Sequence, residues 1–248
     1  MWGEMVKLHP TIRKFPELLV VPLMAATLLI VVDLPKLDLW LSTLLYNESA
    51  GRWSLASLSL FDYSNRYFER TFVVAGALAS LVCIAVYYVV RCSSHWRRVG
   101  IFLLLSLAIG PGLIVNGVFK NAWGRPRPVD TVQFEGTQEF RRITNPGIGG
   151  APELGGAGRS FPSGHAAAAF WSTSLFFVAR YLFPQRSLVV LAATVALGLL
   201  VGAGRVVAGR HYPSDVLWAG LLVFSVNGLI AYLWLRLPRH PLSHRAGS

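Results

Sequence analysis

Between Thr71 and Val90 the chain carries no Asp, Glu, Lys or Arg. Five further runs share that property: Leu18 to Val32, Val99 to Phe119, Phe161 to Ala179, Ser187 to Gly204 and Val216 to Leu235. Each approaches the roughly 20 residues that a helix needs to cross a bilayer. The first is the shortest and is interrupted by Pro22, but a helix extended toward Phe15 or Leu34 still spans. The expectation is therefore an all-α integral membrane protein with six transmembrane helices, residues 1–248 forming a single membrane-embedded domain. Composition agrees, since 54% of residues are hydrophobic and 14% charged, against about 25% charged in soluble domains. The net charge of +11 raises the question of nucleic acid. Basic residues separated by long apolar runs do not make a nucleic-acid-binding surface, so no such partner is expected. Cys83 lies inside one run and Cys92 just beyond it, a spacing that suggests neither a disulfide framework nor a zinc site.

Between the first two runs, Leu37, Trp40, Leu41, Leu44 and Leu45 fall on one helical face beside Trp53, as expected for an interfacial helix lying on the membrane. The two sides of the membrane carry similar numbers of Lys and Arg, 11 against 12, but over 45 residues on one side and 90 on the other. The denser side, which holds both termini, is expected to be cytoplasmic because the positive-inside bias is read over short loops. The basic residues of the opposite side then call for a different purpose, anion binding.

The stretch Arg159-Ser160-Phe161-Pro162-Ser163-Gly164-His165 ends a glycine-rich polar loop and opens an apolar run. Pro162 suits the first position of a helix. The amides of Ser163, Gly164 and His165 would then project from a helix N-terminus, where donors and dipole together favour an anion. Taken alone, the stretch also fits a proline-initiated helix with an incidental histidine. It does not stand alone, however. Counting spans brings three polar clusters to one membrane face: Lys120 with Arg125 and Arg127, then Ser163-Gly164-His165, then Arg205 with Arg210, His211 and Asp215. Cations, helix-end amides, two histidines and a carboxylate are the equipment for holding and transferring a phosphate.

At these residues the sequence resembles the type 2 phosphatidic acid phosphatases, the membrane lipid phosphate phosphatases. Lys120 with Arg127-Pro128 corresponds to the family's first motif, Pro162-Ser163-Gly164-His165 to its second, and Arg205, His211 and Asp215 to its third, where Gly204 replaces the usual serine. The resemblance implies that His211 is the nucleophile, forming a phosphohistidine, and that Asp215 holds its other ring nitrogen. It implies that His165 protonates the leaving oxygen and then activates water. Lys120, Arg127, Arg205, Ser163 and the Gly164 amide would bind the phosphoryl oxygens. Arg125, Arg210, Arg141, Arg142 and Arg159 are expected to be solvated or to face headgroups.

No metal and no other cofactor is expected, because the neighbours of His211 and Asp215 are Lys and Arg, which repel a cation. A transporter of anions would show ionisable groups near mid-membrane or broken helices, whereas these polar groups lie at span ends on one side. A phosphotransferase would use the same pocket with a hydroxyl in place of water. The expected substrate is a lipid phosphate entering from the outer leaflet: lipid A 1-phosphate, undecaprenyl pyrophosphate or phosphatidylglycerophosphate. The expected setting is a bacterial inner membrane, with the pocket facing the periplasm.

Overall fold

The computed structural model describes residues 34–54, 67–90, 94–145 and 158–235, together with Pro22 and Gly147. The expected first span, Leu18 to Val32, falls outside them apart from Pro22. Among the described residues four helices are long and apolar enough to cross a membrane: Glu69–Val90, Ser94–Ala122, Pro184–Val207 and Pro213–Leu235. The run from Phe161 is also helical, but as two pieces, Gly164–Phe170 and Ser174–Leu182, joined by a 3-10 turn at Trp171–Thr173. In chain order the helices are α1 (Leu34–Leu45), α2 (Glu69–Val90), α3 (Ser94–Leu107), α4 (Gly164–Phe170), α5 (Ser174–Leu182), α6 (Ser187–Val207) and α7 (Pro213–Ile230). A two-residue hairpin, β1 (Tyr46–Asn47) with β2 (Arg52–Trp53), follows α1.

With 12 residues, α1 is about 18 Å long, too short to cross a bilayer. Trp40 and Leu44, one turn apart, are 60% and 61% exposed, while Asp38 and Ser42 on another face are buried. The helix thus turns apolar side chains outward and a carboxylate inward, the arrangement of a segment lying between lipid and protein. The same logic covers Val74, Leu78, Leu81 and Val82 of α2 and Leu188, Val189 and Leu200 of α6, all exposed. Together they form the apolar surface that a bilayer, not water, would contact.

The core is built around α4. Ala166, Ala167, Ala168 and Ala169 are buried and small, so neighbouring helices approach closely. The Phe170 ring occupies the space beside Gly198 of α6, where a Cβ would lie 2.3 Å from it. At the turn into α5, the buried indole of Trp171 donates to the Leu103 carbonyl at 3.1 Å, and Asn227 of α7 donates to Thr173 Oγ1 at 3.0 Å. These two bonds pair buried donors of the core, whereas Asn227 Oδ1 and the Ser106 and Ser174 hydroxyls are buried without a hydrogen-bond partner among the described residues.

Beyond Leu107, α3 widens into a π-helix, Ala108–Phe119, and closes at Lys120–Ala122. Pro111 lies inside this segment, and without an N–H it cannot continue a regular ladder. The wider winding is visible at Lys120, whose backbone N–H donates to the Val115 carbonyl five residues back, and the side-chain amide of Asn116 donates to the Pro111 carbonyl at 3.0 Å. It directs Asn116 and Lys120 to one point, since Asn116 Oδ1 and Lys120 Nζ each lie 2.8 Å from where a Cβ on Gly164 would stand. The start of α2, the end of the π-helical extension of α3, the start of α4, the end of α6 and the start of α7 all meet at this end of the bundle.

Candidate active site

Ser163 is the N-cap of α4, its hydroxyl accepting from the Ala166 amide at 3.4 Å, and Gly164 is the first helical residue. The helix therefore begins two residues later than the position of Pro162 suggests. Serine caps a helix through its own oxygen, and here that contact sets the boundary. The Ser163 amide is also not directed outward, because it donates to the Asp215 carbonyl at 3.2 Å and so ties the start of α4 to the start of α7. Gly164 lets three polar side-chain ends converge on it: a Cβ there would meet Asn116 Oδ1, Lys120 Nζ and, at 3.2 Å, Glu69 Oε1, and would displace them.

His211 precedes α7 and is 2% exposed. Its Nδ1 lies 2.7 Å from the Ser160 carbonyl oxygen and 3.7 Å from Asp215 Oδ2. The hydrogen-bond partner is thus a backbone carbonyl, and Asp215 acts on the ring through its charge, not as the direct acceptor that the motif implies. A carbonyl can only accept, so Nδ1 carries the proton and Nε2 presents its lone pair. Burial pushes the imidazole down to about 4. Asp215 works in the opposite direction, and Arg205 and Lys120 add to the lowering. The ring is neutral near pH 7, the state a nitrogen nucleophile needs.

Asp215 is fully occupied elsewhere. Its Oδ2 accepts from Ser160 Oγ at 2.6 Å and from the Tyr212 amide at 2.9 Å, and its Oδ1 accepts from Arg125 Nη1. The expectation that Arg125 is solvated is therefore corrected: it is 1% exposed. It bonds Asp215, Asp38 Oδ2 at 2.8 Å, Ser214 Oγ at 2.8 Å and the Arg141 carbonyl at 2.9 Å, and its guanidinium lies over the Tyr212 ring. A planar fork with five donors suits such a junction. Asp38, from α1, completes it by accepting from the Ser214 amide and hydroxyl at 2.9 and 2.6 Å. Arg210, Arg142 and Arg159 are exposed as expected, whereas Arg141 is half-buried.

The remaining cations surround the same space. Arg205 is buried in the last turn of α6, Lys120 and Arg127 are half-buried, and Arg127 Nε is buried without a protein partner among the described residues. His165 meets a group that lies outside all three motifs, with Nδ1 2.8 Å from Glu69 Oε2 at the start of α2. Glu69, Asp38, Arg125 and Ser160 are the site residues that the sequence reading did not select. For Asp38 a signal was present, a lone carboxylate on a short apolar helix, which must find a partner. Among the described residues no three His, Cys, Asp or Glu side chains form a group able to hold a metal ion. Lys120, His165 and Arg205 stand at helix ends, and Arg125, Arg127 and His211 lie in segments that join helices.

A family model described as the PAP2 superfamily matches residues 99–239. The chain is 30% identical over 203 residues to the lipid A 4′-phosphatase of Francisella tularensis subsp. novicida, an overlap covering 82% of this chain and 88% of that one. It is 40% identical over 128 residues to the lipid A 4′-phosphatase of Rhizobium leguminosarum, covering 48% of this chain and 49% of the other. It is also 36% identical over 144 residues to the lipid A 1-phosphatase of Rhizobium johnstonii, covering 53% and 50%.

Proposed function

The chain belongs to the PAP2 superfamily and is an integral membrane lipid phosphatase of that type, and on this premise we propose that it hydrolyses a phosphate monoester of lipid A, the 4′-phosphate in preference to the 1-phosphate. The relatives support this position: the Francisella protein, aligned over most of both chains, is named for the 4′-phosphate, as is a second at higher identity over half its length, while the 1-phosphatase aligns over half. The phosphate group itself is read by residues that any lipid phosphate would meet.

In the proposed reaction Nε2 of His211 bonds to phosphorus as the bond from phosphorus to the lipid oxygen breaks, and His165 delivers a proton to that oxygen. Water then attacks phosphorus, His165 takes its proton, the phosphorus–nitrogen bond breaks and phosphate leaves. Lys120, Arg127 and Arg205, with Ser163 and the Gly164 amide, hold the non-bridging oxygens and offset their charge as it develops. Asp215 stabilises the positive charge that grows on His211. The observation that most supports the scheme is the bond from His211 Nδ1 to the Ser160 carbonyl, which leaves Nε2 unprotonated. The decisive experiment is phosphate release from bis-phosphorylated lipid A by purified protein in detergent with EDTA, the product located by mass spectrometry. Loss of the 4′-phosphate is expected, with none from His211→Ala. Loss of the 1-phosphate alone overturns the positional assignment, and activity only on restoring a divalent ion overturns the metal-free mechanism.

In the proposed topology the pocket faces the periplasmic side of a bacterial inner membrane, substrate enters from the outer leaflet and both termini are cytoplasmic. The density of Lys and Arg supports that orientation. A cysteine replacing the exposed Arg142, with Cys83 and Cys92 removed, should react with a membrane-impermeant thiol reagent on intact cells. Labelling only after lysis reverses the orientation.

A further inference from the structure

Glu69 opens α2, a helix that carries none of the phosphate-binding motifs, yet its carboxylate lies in the pocket. Oε2 is 2.8 Å from His165 Nδ1, with the two side chains 29% and 16% exposed. Oε1 stands 3.2 Å from the Cβ position of Gly164, the same point that Lys120 and Asn116 approach. Acidic residues are common in the first turn of a helix, where they complement its dipole. That explanation accounts for neither the direction of this side chain nor its setting. It reaches to a different helix, and it brings a negative charge into a space lined by cations, where it opposes the binding of an anionic phosphate. A carboxylate there weakens binding unless it contributes to a later step.

We infer that Glu69 is the positioning residue of His165, fixing the ring with Nδ1 protonated so that Nε2 faces the leaving oxygen. The inference rests on the reading of His165 as acid and base. A carboxylate can only accept, so the Nδ1 proton stays on the side of Glu69 in both steps. In the first step the Nε2 proton moves to the lipid oxygen as the phosphorus–oxygen bond breaks, and the imidazolium becomes a neutral imidazole. In the second step Nε2 takes a proton from the attacking water, and Glu69 balances the charge that returns to the ring. Glu69 touches neither phosphorus nor the leaving group, and acts only through His165.

The test compares Glu69→Gln, Glu69→Asp and His165→Ala on lipid A and on a nitrophenyl phosphate, whose leaving group departs without a proton. General acid catalysis supplies about 10²- to 10⁴-fold. Glu69→Gln should lose at least about tenfold of that in kcat on lipid A, with KM unchanged or lower because an anion has left the pocket. On the nitrophenyl ester its first-turnover burst should fall far less, as should that of His165→Ala. Glu69→Asp, which retains the charge, should recover part of the lipid A rate. In a His165→Ala background, Glu69→Gln should bring no further loss. Equal losses on both substrates in His165→Ala would mean that the acid is misassigned. A split between substrates in His165→Ala but none in Glu69→Gln, or a Glu69→Gln defect confined to KM, would overturn the role of Glu69 alone.

Discussion

His211 is 2% exposed and donates to a backbone carbonyl, whereas His165 is 16% exposed and meets a carboxylate that water also reaches. The first histidine sits in a closed lattice. Ser160 gives its carbonyl to the ring and its hydroxyl to Asp215, Asp215 is held by Arg125, and Arg125 is held by Asp38, which also binds Ser214. Its elements come from α1, the loop after α3, the segment before α4 and the start of α7. The difference matches what each proposed role demands. A nucleophile must present one lone pair at one place, which rigid, dry hydrogen bonding secures. A group that gives a proton in one step and takes one in the next must keep contact with water.

The sharpest way to break this contrast is Arg125→Ala. It leaves the carboxylates of Asp38 and Asp215 buried without their shared cation, and removing one partner of a buried ion pair typically costs about 3–5 kcal/mol. That is a large part of the roughly 5–15 kcal/mol by which proteins are stable. Thermal unfolding in detergent should show a correspondingly large loss. Adding Asp38→Asn should recover part of it by removing one uncompensated charge. Glu69→Ala, which breaks a partly exposed pair, should cost no more than about 1 kcal/mol. Comparable destabilisation by the two alanine variants would erase the distinction between a closed and an open side.

The two sides were not equally legible in the sequence. Lys120, Arg127, Ser163, Gly164, His165, Arg205, His211 and Asp215 could be selected because their spacing repeats a motif and span counting brings them to one face. The bundle followed from the apolar runs, since α2, α3 with its π-helical extension, α6 and α7 each cover most of one. Long-range bonding was hidden. Arg125 reaches partners 87 and 90 residues away, so beside a span it reads like any loop cation. Glu69 is the last acidic residue before an apolar run and reads as a boundary marker. The contact of His211 with the Ser160 carbonyl was out of reach for another reason. Motifs name side chains, and this acceptor belongs to the backbone. The local departures have local causes: the π-helix surrounds Pro111, and α4 starts where the Ser163 hydroxyl caps it.

A smaller effect sharpens the comparison from the side of His211. Burial holds its imidazole at about 4 in the folded protein, against 6.5 for a free side chain. Between those values the unfolded chain takes a proton that the folded one refuses, so acidification favours unfolding. The contribution is fully present above pH 6.5 and is lost as the pH falls toward 4. Between pH 5.5 and 4.5 it amounts to about 1 kcal/mol. Asp38 works with the opposite sign, because burial lifts its carboxyl above the usual range while Arg125 pulls against that shift. The raw pH profile therefore mixes several groups, and the difference between wild type and His211→Asn reports the imidazole together with its coupling to Asp215. Asparagine keeps an amide donor for the Ser160 carbonyl but does not titrate. Unfolding of the two proteins in detergent, followed from pH 7 to 4.5, should show wild type losing stability faster than the variant. Parallel curves would mean that His211 takes its proton in the folded state about as readily as in the unfolded one, and that the closed lattice does not keep the proposed nucleophile neutral.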